Sequence, residues 1–151
     1  MYFTCMPVRK TKFKISEHYQ VVNRGFDRKK IFCDDEDYWK FKNLVSRYSK
    51  RVGVVVYALV VNHFHFLLEQ TEVGGLEYFF KVVQREYSRY FNRKYRCKGT
   101  LFQGRFWAEE IEDEDHYYNV MAYILRNPGK HKMVNLGRDG WSGAKLQEPE
   151  G

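Results

Sequence analysis

The sequence predicts an α+β fold of the ferredoxin-like, split βαβ kind, with one antiparallel four-stranded sheet, two helices on one face and a tyrosine-bearing helix at the C-terminal end. Two observations predict it. Segments of strand-like patterning alternate with segments of helical period in the order strand, helix, strand, strand, helix, strand, helix. The 151 residues, 44% hydrophobic and 18% aromatic, suffice for one core and are too few for two full domains. Residues 1–151 therefore read as one domain, with a basic lead over 1–17 and a peripheral, Gly-rich tail over 134–151.

The first strand is the β-branched and aromatic run His18 to Asn23, ended by the turn signal Arg24-Gly25. Between Asp35 and Arg51, Tyr38, Phe41, Leu44, Val45 and Tyr48 recur at helical spacing behind an acidic start. Val54 to Val61 is a continuous apolar run of strand length, and across Asn62 the alternating run His63 to Glu69 follows it as the second arm of a hairpin. Gly74-Gly75 opens a second helix whose apolar face is Leu76, Phe79, Phe80, Val83, Tyr87, Tyr90 and Phe91. Leu101 to Ile111, broken by Gly104, reads as the fourth strand. Asp113 to Arg126 reads as the last helix, closed by Asn127-Pro128-Gly129.

Lys and Arg outnumber Asp and Glu by 26 to 19, a net charge of +7, which by itself points only weakly to nucleic acid. Placement says more. Ten of the acids fall within Asp34 to Asp37 and Glu109 to Asp115, at two helix starts where the dipole favours them. Tyr78 to Lys98 instead carries seven Lys and Arg against Glu86 alone. There Lys81, Arg85, Arg89 and Arg93 form a stripe, with Tyr87, Tyr90 and Tyr95 interleaved. This is a surface to track phosphates and stack bases, or else a solvated helix face with its aromatics in the core. Three scattered cysteines, no secretory pattern and no apolar run near the roughly 18 residues of a bilayer span lead to the expectation of a cytoplasmic protein with no membrane partner.

Alternation along His63 to Glu69 puts His63 and His65 on one face and Phe64, Phe66 and Leu68 on the other. Two imidazoles so spaced can bind one divalent cation, although ordinary half-exposed histidines look the same. On the last helix, Asn119, Tyr123 and Asn127 share a face away from the apolar stripe Tyr117, Val120, Met121 and Ile124. A tyrosine hydroxyl can attack a phosphodiester when a cation neutralises the phosphate oxygens, and an Asn one turn later could offer that cation an amide oxygen. A tyrosine packing at a helix edge gives the same spacing.

These residues together resemble a known family. Asn62-His63-Phe-His65-Phe-Leu-Leu-Glu is similar to the histidine motif of the HUH nucleases, and Ala-Tyr123-Ile-Leu-Arg-Asn127-Pro-Gly is similar to the tyrosine helix of their single-tyrosine transposases. Tyr19-Gln-Val-Val-Asn23-Arg24-Gly25 with Ile31-Phe32, and Phe102-Gln-Gly-Arg105-Phe-Trp107, resemble the same family in the same order. The match runs from about residue 13 to 131 and is nearest to the transposases associated with repetitive extragenic palindromes. Many relatives have Met-Pro where this chain has Val60-Val61, a change in the hairpin turn that removes no ligand.

The resemblance implies metal-dependent cutting and joining of single-stranded or hairpin DNA through a 5′-phosphotyrosine. Tyr123 would be the nucleophile, His63, His65 and Asn127 the ligands of Mg²⁺ or Mn²⁺, and Lys81, Arg85, Arg89, Arg93, Arg24 and Arg105 the DNA contacts. By ligand type alone two imidazoles suit zinc equally well. The family includes monomers and homodimers. A second reading is a non-catalytic binding module for structured single strands. A water-activating metallohydrolase is disfavoured, because the chain lacks a His-Glu-x-x-His helix and a Cys-rich zinc pattern.

Overall fold

Strands β1 (His18–Arg24), β2 (Val52–Val60), β3 (His63–Gln70), β4 (Trp107–Glu110) and β5 (His131–Val134) form one sheet, with helices α1 (Asp35–Tyr48), α2 (Gly75–Tyr95) and α3 (Glu114–Arg126). The computed structural model describes residues 12–127 and the backbone of 131–134. The lead up to residue 11, the Pro128-Gly129 closure of the last helix and the tail from 135 lie outside the described residues. All pairs are antiparallel and the spatial order is β4-β1-β3-β2-β5. The first four strands and α1 and α2 make the expected split βαβ unit. The fifth strand was not foreseen. Its four residues follow a Pro-Gly pair and carry too short a pattern to read, and it forms by pairing with β2 from Leu59↔His131 to Val56↔Val134. Val134, assigned to the peripheral tail from sequence, closes this strand.

The helix starts follow from their acids. Asp34 caps α1 in a reciprocal box with Asp37, and Asp113 caps α3 by accepting from the His116 N–H at 2.7 Å. Asp37 then does more than cap. Fully buried, it accepts hydrogen bonds from the Cys33 N–H (2.8 Å), Tyr90 Oη (2.8 Å), Lys94 Nζ (3.0 Å) and Tyr95 Oη, so the start of α1 is clasped to the end of α2. Burial pushes the Asp37 carboxyl up, but these donors outweigh burial and hold it below the usual 3.8.

The sheet has two cores. Phe64, Phe66 and Leu68 face α1 and α2 and join Phe41, Phe79, Phe80 and Tyr87 in the larger one. Each fully buried Phe there contributes about 1.5–3 kcal/mol. On the other face Val56, Ala58 and Leu67 meet Val120, Met121 and Ile124 of α3. An irregularity between Val54 and Val56 lets β2 serve both, since Val54 points into the larger core and Val56 into the smaller. The continuous apolar run of β2 is what a strand covered on both faces requires.

The fourth strand is shorter than the sequence predicts. Only Trp107–Glu110 pairs with β1, because Gly104 has φ +67° and turns the chain out of the sheet. Leu101, Phe102 and Phe106 are buried all the same, and Phe102 makes an isolated bridge to Gly25. Gly25 itself permits a close approach, since a Cβ there would lie 2.2 Å from the Lys29 carbonyl oxygen.

Candidate active site

Register carries the histidines to their face. His65 lies opposite Val22 on β1 and Ala58 on β2, and His63 lies opposite Arg24, so these side chains project from the α3 side of the sheet. α3 crosses this face with Val120, Met121 and Ile124 down. Tyr123, one position before Ile124, comes over β3. Its ring centroid is 5.5 Å from that of His65 in an edge-to-face arrangement, and its side chain is half exposed. The two imidazole centroids are 4.8 Å apart. Residues 58 positions apart in sequence thus share one site.

The environments of the imidazoles differ. His65 is 3% exposed, and burial, with the neighbouring His63, pushes its pKa down to about 4. Burial also lowers His63. Both are neutral at neutral pH, the state in which imidazole is a ligand. His63 Nδ1 lies 2.7 Å from Asn62 Oδ1, a contact that requires an Nδ1–H and leaves the Nε2 lone pair available. His65 Nδ1 is buried with no hydrogen-bonding partner. An orphaned ring nitrogen beside a second, oriented imidazole fits a divalent cation. Among the described residues no cluster of three His, Cys, Asp or Glu could hold a metal.

Asn127 is the C-cap of α3, its backbone N–H donating to the Tyr123 carbonyl at 3.1 Å. It therefore follows Tyr123 by one turn, as the spacing required. Tyr118 is half exposed but sits elsewhere. Its neighbour Tyr117 packs on His18, at the opposite end of β1 from Arg24 and the histidine pair.

Lys81, Arg85, Arg89 and Arg93 are exposed along α2 on the far side of the sheet. Glu86 lies 3.5 Å from Arg85 and 3.6 Å from Arg89, partly neutralising the middle of the stripe. The interleaved tyrosines do not form the base-stacking surface that the sequence allowed. Tyr87 is fully buried with its hydroxyl on the Ile31 carbonyl, and Tyr90 and Tyr95 are bound into the Asp37 clasp. Arg24 donates to Gln103, and Arg105 is exposed on the loop before β4. Asn62, whose side chain meets His63, was not picked out as a functional residue from sequence. Only its adjacency to the histidine motif signals it.

A split βαβ sheet with a histidine pair under a tyrosine-bearing helix defines a class of protein in which a tyrosine side chain and a candidate cation site meet on one sheet face. Residues 13–127 match the family described as "Transposase IS200 like", and the chain belongs to that family. It is 30% identical over 96 residues to a protein assigned as a REP-associated tyrosine transposase in Haemophilus influenzae Rd, an alignment covering 56% of this chain and 54% of that one. The chain thus spans about half the length of that curated relative. Its fold is similar to that of the REP-associated tyrosine transposase solved bound to a REP hairpin, with TM-score 0.60, 19% identity and coverage of 82% of this chain and 72% of the other. It is also similar to a protein assigned as a transposase from Deinococcus radiodurans R1, with TM-score 0.51, 14% identity and coverage of 78% and 96%. Among the described residues no helix is long and apolar enough to cross a membrane.

Proposed function

We propose that this protein cuts and rejoins single-stranded DNA beside hairpins, with Tyr123 as nucleophile. The observation that carries the reading is the placement of the Tyr123 ring 5.5 Å from His65, a buried imidazole with an orphaned nitrogen. His63, His65 and the Asn127 amide oxygen would hold Mg²⁺ or Mn²⁺. When bound, the cation would withdraw charge from the non-bridging oxygens of the scissile phosphate.

The rest belongs to the chain's own groups. Tyr123 Oη gives its proton to solvent and bonds to phosphorus, and the P–O3′ bond breaks. The departing 3′ oxygen takes a proton, which leaves a 5′-phosphotyrosine and a free 3′-hydroxyl. Rejoining is the reverse, by another 3′-hydroxyl. The half exposure of Tyr123 supports this, since a nucleophile must be reached by a polymer. The edge-to-face contact with His65 favours one orientation of the Tyr123 ring, which lowers the entropy cost of attack. Lys81, Arg85, Arg89, Arg93, Arg24 and Arg105 would hold the strand by its phosphates.

The test is to incubate the protein with DNA hairpins bearing single-stranded flanks and Mn²⁺, then look for an adduct that survives denaturation. The parent should form it and Tyr123→Phe should not. An adduct-free parent that still binds the hairpins would support the binding-module reading instead.

A further inference from the structure

We propose that the cleft between α2 and the loop over residues 99–106 receives one unpaired nucleotide of the DNA strand, with its base inside and its phosphate on Lys81, Arg85 and Arg105. This rests on the strand-transfer reading and adds to it a recognition pocket on the α2 side of the sheet, away from Tyr123. The cleft has a volume of about 510 Å³, within the range of sites that enclose small ligands.

Its chemistry is that of a nucleotide. Leu101, Phe102 and Phe106, each under 10% exposed, make an apolar floor. Cations stand above it from two elements, Lys81 and Arg85 from the helix and Arg105 from the loop. Among the described residues neither Lys81 nor Arg105 has a carboxylate within ion-pair distance, so an anion would find them uncompensated.

Polar groups are placed for a base edge. The Gln84 Oε1 is occupied, accepting from Asn23 Nδ2 at 2.7 Å, which fixes the amide and leaves its NH₂ donors. Ser88 lies one turn further along the wall, and Glu77, one turn before Lys81, is an acceptor for an exocyclic amine. An acyl chain would leave the cations and amide without partners, and inorganic phosphate would leave the apolar floor wet. A base stacked in a duplex cannot enter a concave pocket, whereas an unpaired one can. Arg89 and Arg93 continue past the cleft, on a course for the neighbouring phosphates.

The experiment uses a fluorescein-labelled DNA hairpin with randomised single-stranded flanks, and a series with one abasic site moved through every unpaired position. Anisotropy titrations of the parent should show one position where the missing base weakens binding about tenfold. That penalty should vanish in Thr100→Trp, which puts an indole into the cleft from an exposed loop position, and in Ser88→Trp, which fills it from the helix wall. A flat abasic series in the parent, or an undiminished penalty in both filled variants, overturns the proposal. If the hairpin still gives the Tyr123 adduct while the series is flat, only the pocket falls. Absence of any hairpin binding removes the strand-transfer reading as well.

Discussion

Tyr123 and Tyr118 are both half exposed on α3, and only Tyr123 overlies the histidine pair. Tyr123→Phe should therefore abolish the covalent adduct and leave hairpin affinity within about twofold, while Tyr118→Phe keeps the adduct. Thermal melting of the Phe variant should match the parent to within about 0.5 kcal/mol, because an exposed hydroxyl is lost and the ring contact kept. The histidines make a separate prediction. Mn²⁺ should raise the melting temperature of the parent and leave that of a His63→Ala/His65→Ala double variant unmoved; equal shifts would exclude these ligands. Asn62→Ala should cost about 10- to 100-fold in Mn²⁺ affinity with the fold intact, since it removes the group that orients His63. The period-two pattern revealed the shared face of His63 and His65, but not that one would be fully buried beside α3 and the other only partly buried.

At the scale of elements, the clasp between α1 and α2 is a stability device with a defined pH dependence. The Asp37 carboxyl is held below 3.8 when folded, so its contribution is complete above that pH and is lost as pH falls through the depressed value. Asp37→Asn should destabilise the protein by about 2 kcal/mol or more at pH 7, by weakening the charge-assisted hydrogen bonds from Tyr90, Tyr95 and Lys94, although Lys94 keeps Asp34 and Glu36. Denaturant melts at pH 7 and pH 3 check the sign, since the gap between variant and parent must narrow in acid. The α2 stripe divides likewise. Neutralising Lys81 should lower the salt slope of hairpin binding by about 0.7, and neutralising Arg89, which shares Glu86, should lower it less. Helical spacing displayed the stripe plainly. It could not show that Tyr90 and Tyr95 turn away to a carboxylate 53 and 58 residues earlier.

Over the whole molecule, the sheet is covered by unequal layers. α1 and α2 seal the larger aromatic core, whereas α3 rests on a small aliphatic patch. Amide exchange should accordingly be faster in α3 than in β1, β3 and α2, and Ile124→Ala, costing about 2–5 kcal/mol locally, should release α3 before the rest of the domain unfolds. Uniform protection across all three helices would contradict this. The sequence by itself determined the order of the elements, the face of each helix and strand, and the types of residue available for the chemistry. Those follow from periodicity and capping, which act over a few residues. Tertiary structure decided the fifth strand, the retreat of the fourth at Gly104, the burial of Tyr87, the cleft between α2 and its return loop, and the meeting of Tyr123 with His65. Each of these depends on which surfaces remain to be covered once the sheet has formed, and that is settled by contacts between residues far apart in the chain.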